Sequence, residues 1–339
     1  MIWGVMLVGV ILVALLQLFL PERAMDSLEA DRRPETLLGE PGEPLDLQIS
    51  VSNSSRRLFP YVAVAMKLPF AREGAVDISF WMGPKQHYIR QIPLTIDRRG
   101  RYVPESLKLS CGDFLGLKEY TKTCGSYREI VIPPKALAFS RLDVLMGGFL
   151  GDVSANRFIL EDPVLTLGFR EYSGSDPMKR IAWAQSARYN RLMVKKNDYT
   201  VEPSVSVLLN VETDLEEKED ACEACFCLAR SVCALLEKKG IRYSFSANPQ
   251  LLGYNCSAVG TAGLGQRHFS AILETLGRSV KTPGVSLQTL LEQELQRPES
   301  SGRILITPGG NELSTHATAR LREHGPLLVL KGTEASQWD

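Results

Sequence analysis

The sequence predicts a multi-domain α+β protein made of an N-terminal transmembrane helix, an antiparallel β-sandwich and a doubly wound α/β domain. Three observations predict this order. The chain opens with an apolar run broken only by Gly4, Gly9 and Gln17, continues with short alternating segments, and then alternates strands with helices. The predicted boundaries are residues 1–21 for the transmembrane helix, 22–42 for a connector, 43–134 for the β-sandwich, 135–202 for a bridging segment and 203–339 for the α/β domain.

The first apolar run, from Ile2 to Leu20, contains no charged residue and would span roughly 28 Å as a helix. A cleaved signal peptide needs basic residues before the run and a small-residue site after it, and the sequence has neither. Arg23, Arg32 and Arg33 follow the run, so the positive-inside rule places the body inside the cell. We therefore expect a single-pass protein of the cell membrane, anchored by this helix, with the bulk of the chain cytoplasmic.

Composition excludes some functions. Lys plus Arg and Asp plus Glu are equal at 39 each, so no overall positive field attracts nucleic acid. The chain has seven cysteines, an odd number in a chain too long to depend on disulfide staples, which favours a reducing compartment.

Apolar and polar residues alternate from Leu45 to Val51, which is typical of a strand with one buried face. Similar segments follow without intervening helices, which favours an antiparallel sandwich. The other strands predicted in this part are Tyr61–Leu68, His87–Ile96, Tyr102–Leu109 and Tyr127–Ile132.

The second half of the chain has the alternation of an α/β domain. Val205–Val211 is a β-branched run typical of a buried parallel strand, and Glu219–Lys239 has helical periodicity that stops at Gly240. This order predicts a mostly parallel sheet with helices on both faces. The remaining predicted strands are Ile241–Ser246, Arg303–Thr307 and Pro326–Lys331, and the remaining helices are Gln266–Gly277, Ser286–Gln296 and Ser314–His324.

Four cysteines, Cys222, Cys225, Cys227 and Cys233, lie within one predicted helix, and the first two have the spacing of zinc ligands. Their steps of three and four, shared with neighbouring apolar residues, are also those of a packed helix face. Because the sequence has no second Cys-x-x-Cys and its histidines are scattered, we favour a place in the core.

The glycine-rich segment 260–265 superficially resembles a phosphate-binding loop. A P-loop requires Gly-Lys-Ser/Thr after the glycines, whereas Gln266 and Arg267 follow here. We interpret the segment as a connection before a helix. The sequence also has no Gly-x-Ser-x-Gly elbow, and we expect no catalytic residues.

The densest polar segment runs from Phe169 to Lys195, and it resembles the hallmark of the domain of unknown function 58 family, a group of bacterial membrane-associated proteins. In that family an Arg-Glu-Tyr element leads through an Asp and an Arg to Ile-x-Trp, then to Ser-Ala-Arg and Val-Lys. The matching residues are Arg170, Glu171, Tyr172, Asp176, Arg180, Ile181, Trp183, Ser186, Ala187, Arg188, Val194 and Lys195.

A second match lies upstream, where residues 99–102 and 112–117 resemble the family's "RG-x-Y … D-P-F-G-L" pattern. The resemblance covers most of the chain. It implies that the last domain is similar to a von Willebrand factor A domain.

Domains of that kind often bind a divalent cation through an Asp-x-Ser-x-Ser loop with a later Thr and a later Asp, and oxygen ligands suit Mg²⁺. Here the loop begins with Asn210 in place of the Asp, and Pro308 replaces the later Asp. The resemblance therefore implies a degenerate site, with no cofactor or at most a weakly held Mg²⁺. Its candidate ligands are Asn210, Glu212, Asp214 and Thr261.

The hallmark segment has two compatible interpretations. In the first it is a latch, in which Ile181 and Trp183 anchor in a core. Arg170, Arg180 and Arg188 then pair with Glu171 and Asp176 and lock the β-domain against the α/β domain. In the second it is a docking surface, because arginine and aromatic side chains are enriched at interaction hot spots.

The main functional hypothesis is a non-enzymatic binding or scaffold protein. The resemblance implies a MoxR-type AAA+ ATPase as its partner, possibly with a transglutaminase-like membrane protein, in complex assembly or cell-envelope processes. Two alternatives stay open: a divalent-metal-dependent ligand-binding module, and a cryptic hydrolase.

Overall fold

The chain is a mixed α/β protein with several small sheets, and it divides into two compact units, Met1–Lys135 and Ala136–Asp339. The computed structural model describes residues 2–18, 25–30, 36–112, 118–124, 129–137, 140–157, 166–174, 176–197, 204–214, 218–253, 260–297, 301–309 and 319–337.

The N-terminal helix α1 covers Ile2–Leu18, or 17 residues. At about 1.5 Å per residue it is roughly 26 Å long, less than the hydrocarbon core of a typical bilayer. Among the described residues, no helix has both the length and the apolar character that crossing a bilayer requires. The predicted transmembrane helix over residues 1–21 is therefore wrong, and so is the single-pass membrane localisation that depended on it.

The first unit is built from short strands. Two of its sheets, with strand orders β1-β3-β6 and β5-β4-β8-β9, are antiparallel, and a third has the order β2-β10-β7. The strands are β1 Leu28–Ala30, β2 Thr36–Leu38, β3 Pro44–Asn53, β4 Phe59–Leu68, β5 Gly74–Met82, β6 His87–Thr95, β7 Gly100–Tyr102, β8 Leu107–Gly112, β9 Glu119–Cys124 and β10 Glu129–Ile132.

The core of this unit follows the alternation of the sequence. Leu47, Ile49 and Val51 of β3 are buried in one cluster with Val62 and Val64 of β4. Because successive strand residues point to opposite faces, each strand contributes every second side chain to this core. Two sheets thus share one apolar interior, which the period-two pattern predicts.

The described residues of the second unit form five α-helices and eight strands whose bounds are given below. Its main sheet is parallel, with the order β14-β13-β17-β18. The elements are α2 Ser140–Arg157, β11 Thr166–Glu171, α3 Trp183–Tyr189, β12 Met193–Asn197, β13 Ser204–Leu209, α4 Lys218–Lys239, β14 Arg242–Ala247, β15 Pro249–Leu251, α5 Gln266–Arg278, β16 Ser279–Pro283, α6 Leu287–Leu295, β17 Gly302–Thr307 and β18 Leu327–Lys331.

Helices cover both faces of the parallel sheet. On one face, Val207 and Ile304 pack in a cluster with α2, α4 and α5. On the other face, Leu208 and Leu305 pack against α6 and against Leu321, which lies in a helical segment over residues 319–323. Of the predicted helix Ser314–His324, only this last part lies within the described residues.

Helix α2 lies within the predicted bridging segment, residues 135–202. Its residues Phe149 and Val153 contact β17 so closely that an added Cβ at Gly302 would lie 2.4 Å from the Val153 side chain. The helix is thus part of the core of the second unit, because its apolar residues recur at steps of three and four.

Candidate functional site

The carboxyl edge of the parallel sheet carries a closed network of amide hydrogen bonds around Asn210. This side chain is buried, and its Nδ2 donates to the carbonyl of Glu212 at 3.0 Å and to Oγ1 of Thr307 at 3.1 Å. Its Oδ1 accepts from the Glu212 N–H at 3.0 Å and from Nδ2 of Asn248 at 2.7 Å. A side-chain amide has two donors and two acceptor positions, so Asn210 has no capacity left for a further ligand.

The other candidate ligands are engaged elsewhere or lie apart. Oε2 of Glu212 accepts from the Leu287 N–H at 2.7 Å, so this carboxylate caps the start of α6. Asp214 is exposed. Thr261 lies two residues from Gly263, which bridges Tyr243 near the amino end of β14, whereas Asn210 follows the carboxyl end of β13.

The four predicted ligands therefore do not converge. Among the described residues, no group of three or more His, Cys, Asp or Glu side chains is placed to hold a metal ion. Sequence reasoning missed Asn248 and Thr307. Their signal was present, because each polar residue ends or directly follows a parallel strand at the same sheet edge.

The last residue of the glycine-rich segment, Gly265, is hydrogen-bonded to the carboxylate of Glu237. The Gly265 N–H, at the start of α5, donates to both oxygens of Glu237 at 3.0 Å, and the Tyr243 hydroxyl donates to Oε1 of the same carboxylate at 3.0 Å. Burial raises the pKa of Tyr243 well above its usual range. Because a protein carboxylate already occupies the amino end of α5, a phosphate would have to displace it.

The cysteines of α4 lie in the core, as their spacing predicts. Cys222, Cys225 and Cys233 are buried, and Cys227 is half-buried. Burial raises the pKa values of the Cys225 and Cys233 thiols well above their usual range. These side chains pack as small hydrophobic groups rather than as reactive thiols.

The family-like residues form a small module, here named the hallmark hairpin and defined as the described residues of 166–197. Strands β11 and β12 pair antiparallel, and a 3₁₀ turn at Met178–Arg180 and helix α3 lie between them. Ser186 of α3 is buried, and its Oγ accepts from the Met193 N–H at 2.8 Å and donates to the Ala182 carbonyl at 3.0 Å. This one hydroxyl joins the helix to the strand.

A fork of hydrogen bonds fixes the first turn of the hairpin. Nη1 and Nη2 of Arg170 donate to the two oxygens of Asp176 at 2.7 and 2.5 Å. The N–H and hydroxyl of Ser173 donate to Oδ2 of Asp176 at 3.0 and 2.8 Å. These donors hold the pKa of the Asp176 carboxyl well below its usual range, with Arg170 as the largest cause.

The other polar residues of the family pattern differ in their pairing and exposure. Glu171 pairs at 2.5 Å with Arg191, an arginine that the prediction did not include. Arg188 and Lys195 are exposed, and neither makes an ion pair with any residue that the structure describes. The side chain of Arg180 lies outside the described part of the chain. Tyr172 is half-buried, and its backbone N–H donates to the Leu192 carbonyl at 2.8 Å.

Several large apolar side chains of the hairpin face solvent. Ile181 is buried, as expected, but Trp183 is 64% exposed, against the expectation that it anchors in a core. Sequence reasoning missed the other exposed side chains because none belongs to the family pattern. They are Phe169, Met178, Tyr189 and Leu192.

Comparisons with known proteins add little. No family model matches the chain, and no curated protein matches it. Among solved structures, one match is WR4, a member of the MSP family of C. elegans, which is 9% identical over 31% of this chain and 97% of that chain. Its TM-score is 0.20, so the likeness carries no argument about fold or function.

Proposed function

We propose that this chain is a non-enzymatic binding protein that recruits a partner protein through the hallmark hairpin. The exposure of Trp183 carries the proposal. Burying a tryptophan side chain gains much free energy, and the hairpin instead displays this one on a framework fixed by Ser186 and Asp176. Exposed aromatic residues on a rigid support are typical of the centres of protein interfaces.

The charge of the hairpin favours an acidic partner surface. Residues 166–197 contain seven Lys and Arg and two Asp and Glu, a net charge of +5 in a chain whose total is zero. Both acids are satisfied inside the hairpin, Asp176 by Arg170 and Glu171 by Arg191. Arg188 and Lys195, which lie near the exposed aromatic residues in the sequence, would attract an acidic surface of the partner. The aromatic side chains would then be buried in the interface.

The partner that we propose is a MoxR-type AAA+ ATPase, possibly together with a transglutaminase-like membrane protein. The resemblance of the hallmark residues supports this choice. The ATPase would supply the nucleotide chemistry, and the chain would contribute a surface in the assembly of a complex or in a cell-envelope process.

The experiment that tests the proposal measures the affinity of the purified full-length chain for the MoxR-type ATPase of its own organism. Trp183→Ala should weaken binding by about thirtyfold, which corresponds to a hot spot of about 2 kcal/mol. Trp81→Ala is the matched control, because Trp81 of β5 is exposed to 63% in the other unit. Arg188→Glu should also weaken binding, and the loss of affinity should be larger at low salt than at high salt.

Two outcomes would contradict the proposal. The first is the absence of measurable binding between the wild-type chain and the ATPase. The second is an equal effect of the Trp183 and Trp81 substitutions, since the hairpin would then have no special part in binding. The metal-dependent alternative receives little support from the filled hydrogen-bonding capacity of Asn210.

A further inference from the structure

A cleft of about 450 Å³ lies in the first unit between strands β5 and β6. Among the strands that the structure describes, each of these is an edge: β5 pairs with β4 alone, and β6 pairs with β3 alone. Residues 74–95 are all described, and no backbone hydrogen bond joins Ala75–Ser79 to Arg90–Pro93. The facing N–H and C=O groups of two strands thus border an open space.

The cleft is closed at both ends. At one end the rings of Phe80 and Tyr88 stack with centroids 3.7 Å apart. At the other end the Arg72 N–H donates to the Thr95 carbonyl at 3.0 Å, and the guanidinium of Arg72 forms a fork with Asp97. Because these contacts hold the two strands at a fixed separation, the space between them is preformed.

The lining of the cleft follows from the strand registers. Residues directly opposite each other on paired strands share a face. Ile78 lies opposite Val64, and Ile92 lies opposite Leu47, so both isoleucines point inward, yet both are only half-buried. The cleft therefore has an apolar floor that a further strand would cover.

Arg90 is the exception on this face. It lies opposite Ile49, whose side chain is in the core, so Arg90 has an inward-facing position on β6, although its side chain is exposed at the cleft. Its side chain makes no hydrogen bond or ion pair with any described residue. Two carboxylates also line the cleft, but Glu73 accepts from the Thr95 N–H at 3.1 Å, and Asp77 lies opposite Ala65 on the outward face of β5. Arg90 is therefore the charged group on the inward face of the two strands, and its guanidinium can donate a forked, charge-assisted hydrogen bond to a carboxylate.

The two edges are not equal. Pro93 of β6 has no N–H, which weakens that edge as a hydrogen-bonding partner. Strand β5 has nine residues, contains neither Pro nor Lys, and has Asp77 as its one charged residue. Long edges of this kind readily accept another strand.

The geometry points to a binding site for an extended peptide segment that adds to the β5 edge and places an Asp or Glu side chain against Arg90. Its neighbouring inward side chains would be apolar and would cover Ile78 and Ile92. A second copy of this chain fits less well. Its own β5 would present Val76, Ile78 and Phe80 inward, and none of these can neutralise Arg90.

The test uses a fluorescent eight-residue peptide, blocked at both ends, in which Thr alternates with Val and one central Val is replaced by Glu. Binding to the purified full-length chain is followed by fluorescence polarisation. A peptide with Lys in place of Glu should bind at least tenfold more weakly. A peptide with alternate backbone nitrogens methylated should not bind, because it cannot pair with the edge.

Variants of the chain complete the design. Arg90→Glu should reverse the preference and favour the Lys peptide, and Arg90→Gln should abolish it. Arg56→Glu is the control, since Arg56 is exposed and does not line the cleft. Bound Glu peptide should also slow amide hydrogen exchange in β5, whereas the Lys peptide should not.

Three results would overturn the inference: equal binding of the Glu and Lys peptides, no binding of either peptide at millimolar concentration, or self-association that increases when Arg90 is removed while no peptide binds. In the last case Arg90 would guard the edge against pairing with other chains.

Discussion

Asn210→Asp is the most direct test of the hydrogen-bond network at the sheet edge. It replaces the Nδ2 amide group, which donates two hydrogen bonds, by a carboxylate oxygen and leaves the size of the side chain nearly unchanged. The new carboxylate loses the donors to the Glu212 carbonyl and to Thr307. A buried acceptor left without its donor costs about 1–3 kcal/mol. The Thr307 hydroxyl can turn and donate to the carboxylate, so we expect a total loss of about 2–4 kcal/mol of unfolding free energy.

The sign of the pH dependence follows from the same contacts. The buried carboxyl at position 210 faces a carbonyl oxygen, so its folded-state pKa lies above its unfolded value of about 3.9. In the protonated form it can donate to the Glu212 carbonyl. The loss relative to wild type is therefore small below about pH 4, and it grows as the pH rises through the folded-state pKa.

Urea unfolding of the wild type and the variant, followed by circular dichroism at several pH values between 4 and 8, measures this difference. The control is Asn190→Asp. Asn190 is exposed, and its positive φ of 51° is one that Asp tolerates, so a change within about 0.5 kcal/mol is expected. A loss below 1 kcal/mol at pH 7, or a loss that does not vary with pH, would refute the reasoning.

Three further predictions concern packing, charge and thiols. Gly302→Ala should destabilise the chain by about 1–3 kcal/mol in urea unfolding, because its Cβ would overlap the Val153 side chain, whereas Gly147→Ala in open space on α2 should stabilise it by up to about 1 kcal/mol. Asp176 has a lowered pKa, so its contribution to stability is present above its unfolded pKa and is lost as the pH falls towards its folded-state value. Asp176→Asn should remove that part of the acid dependence seen in thermal unfolding, and an unchanged curve would count against the Arg170 fork. Cys225 should react with a thiol reagent at pH 8 only at the rate of unfolding, and fast labelling in the native state would contradict its burial.

Much of the β-structure could be predicted from the sequence, and the exceptions have physical reasons. Strand β3 was found because its core residues alternate with polar ones. Strand β5 was not predicted, although Val76, Ile78, Phe80 and Met82 keep the same period. Trp81 stands where the alternation requires a polar residue, so the strand ends in three consecutive apolar residues and its pattern is less clear. An exposed tryptophan on an outward face cannot be distinguished from a buried one by identity alone.

Helix α2 was missed for a different reason. Gly147, Gly148 and Gly151 lower its helix propensity, so the segment looked irregular. Leu142, Met146, Phe149 and Val153 nevertheless recur at helical spacing, and tertiary packing against the sheet overrides the propensity.

The candidate site was only partly predictable. The hallmark residues are brought together in one hairpin, but the exposure of Trp183 depends on how the neighbouring elements pack, which the sequence does not state. The degenerate metal site was predicted from a resemblance. Asn248 was missed although it directly follows a predicted strand, because only the sheet order shows that this strand is the neighbour of β13. The opening apolar run predicted a membrane span, and the described helix is too short for one.

The central claim is that this chain acts by presenting the hallmark hairpin to a partner. Amide hydrogen exchange of the full-length chain, measured with and without the MoxR-type ATPase, tests it most directly. We predict that the ATPase slows exchange chiefly in residues 176–192, around the exposed Trp183. Slowed exchange in β17 and the Asn210 loop, with no change in residues 176–192, would contradict the claim.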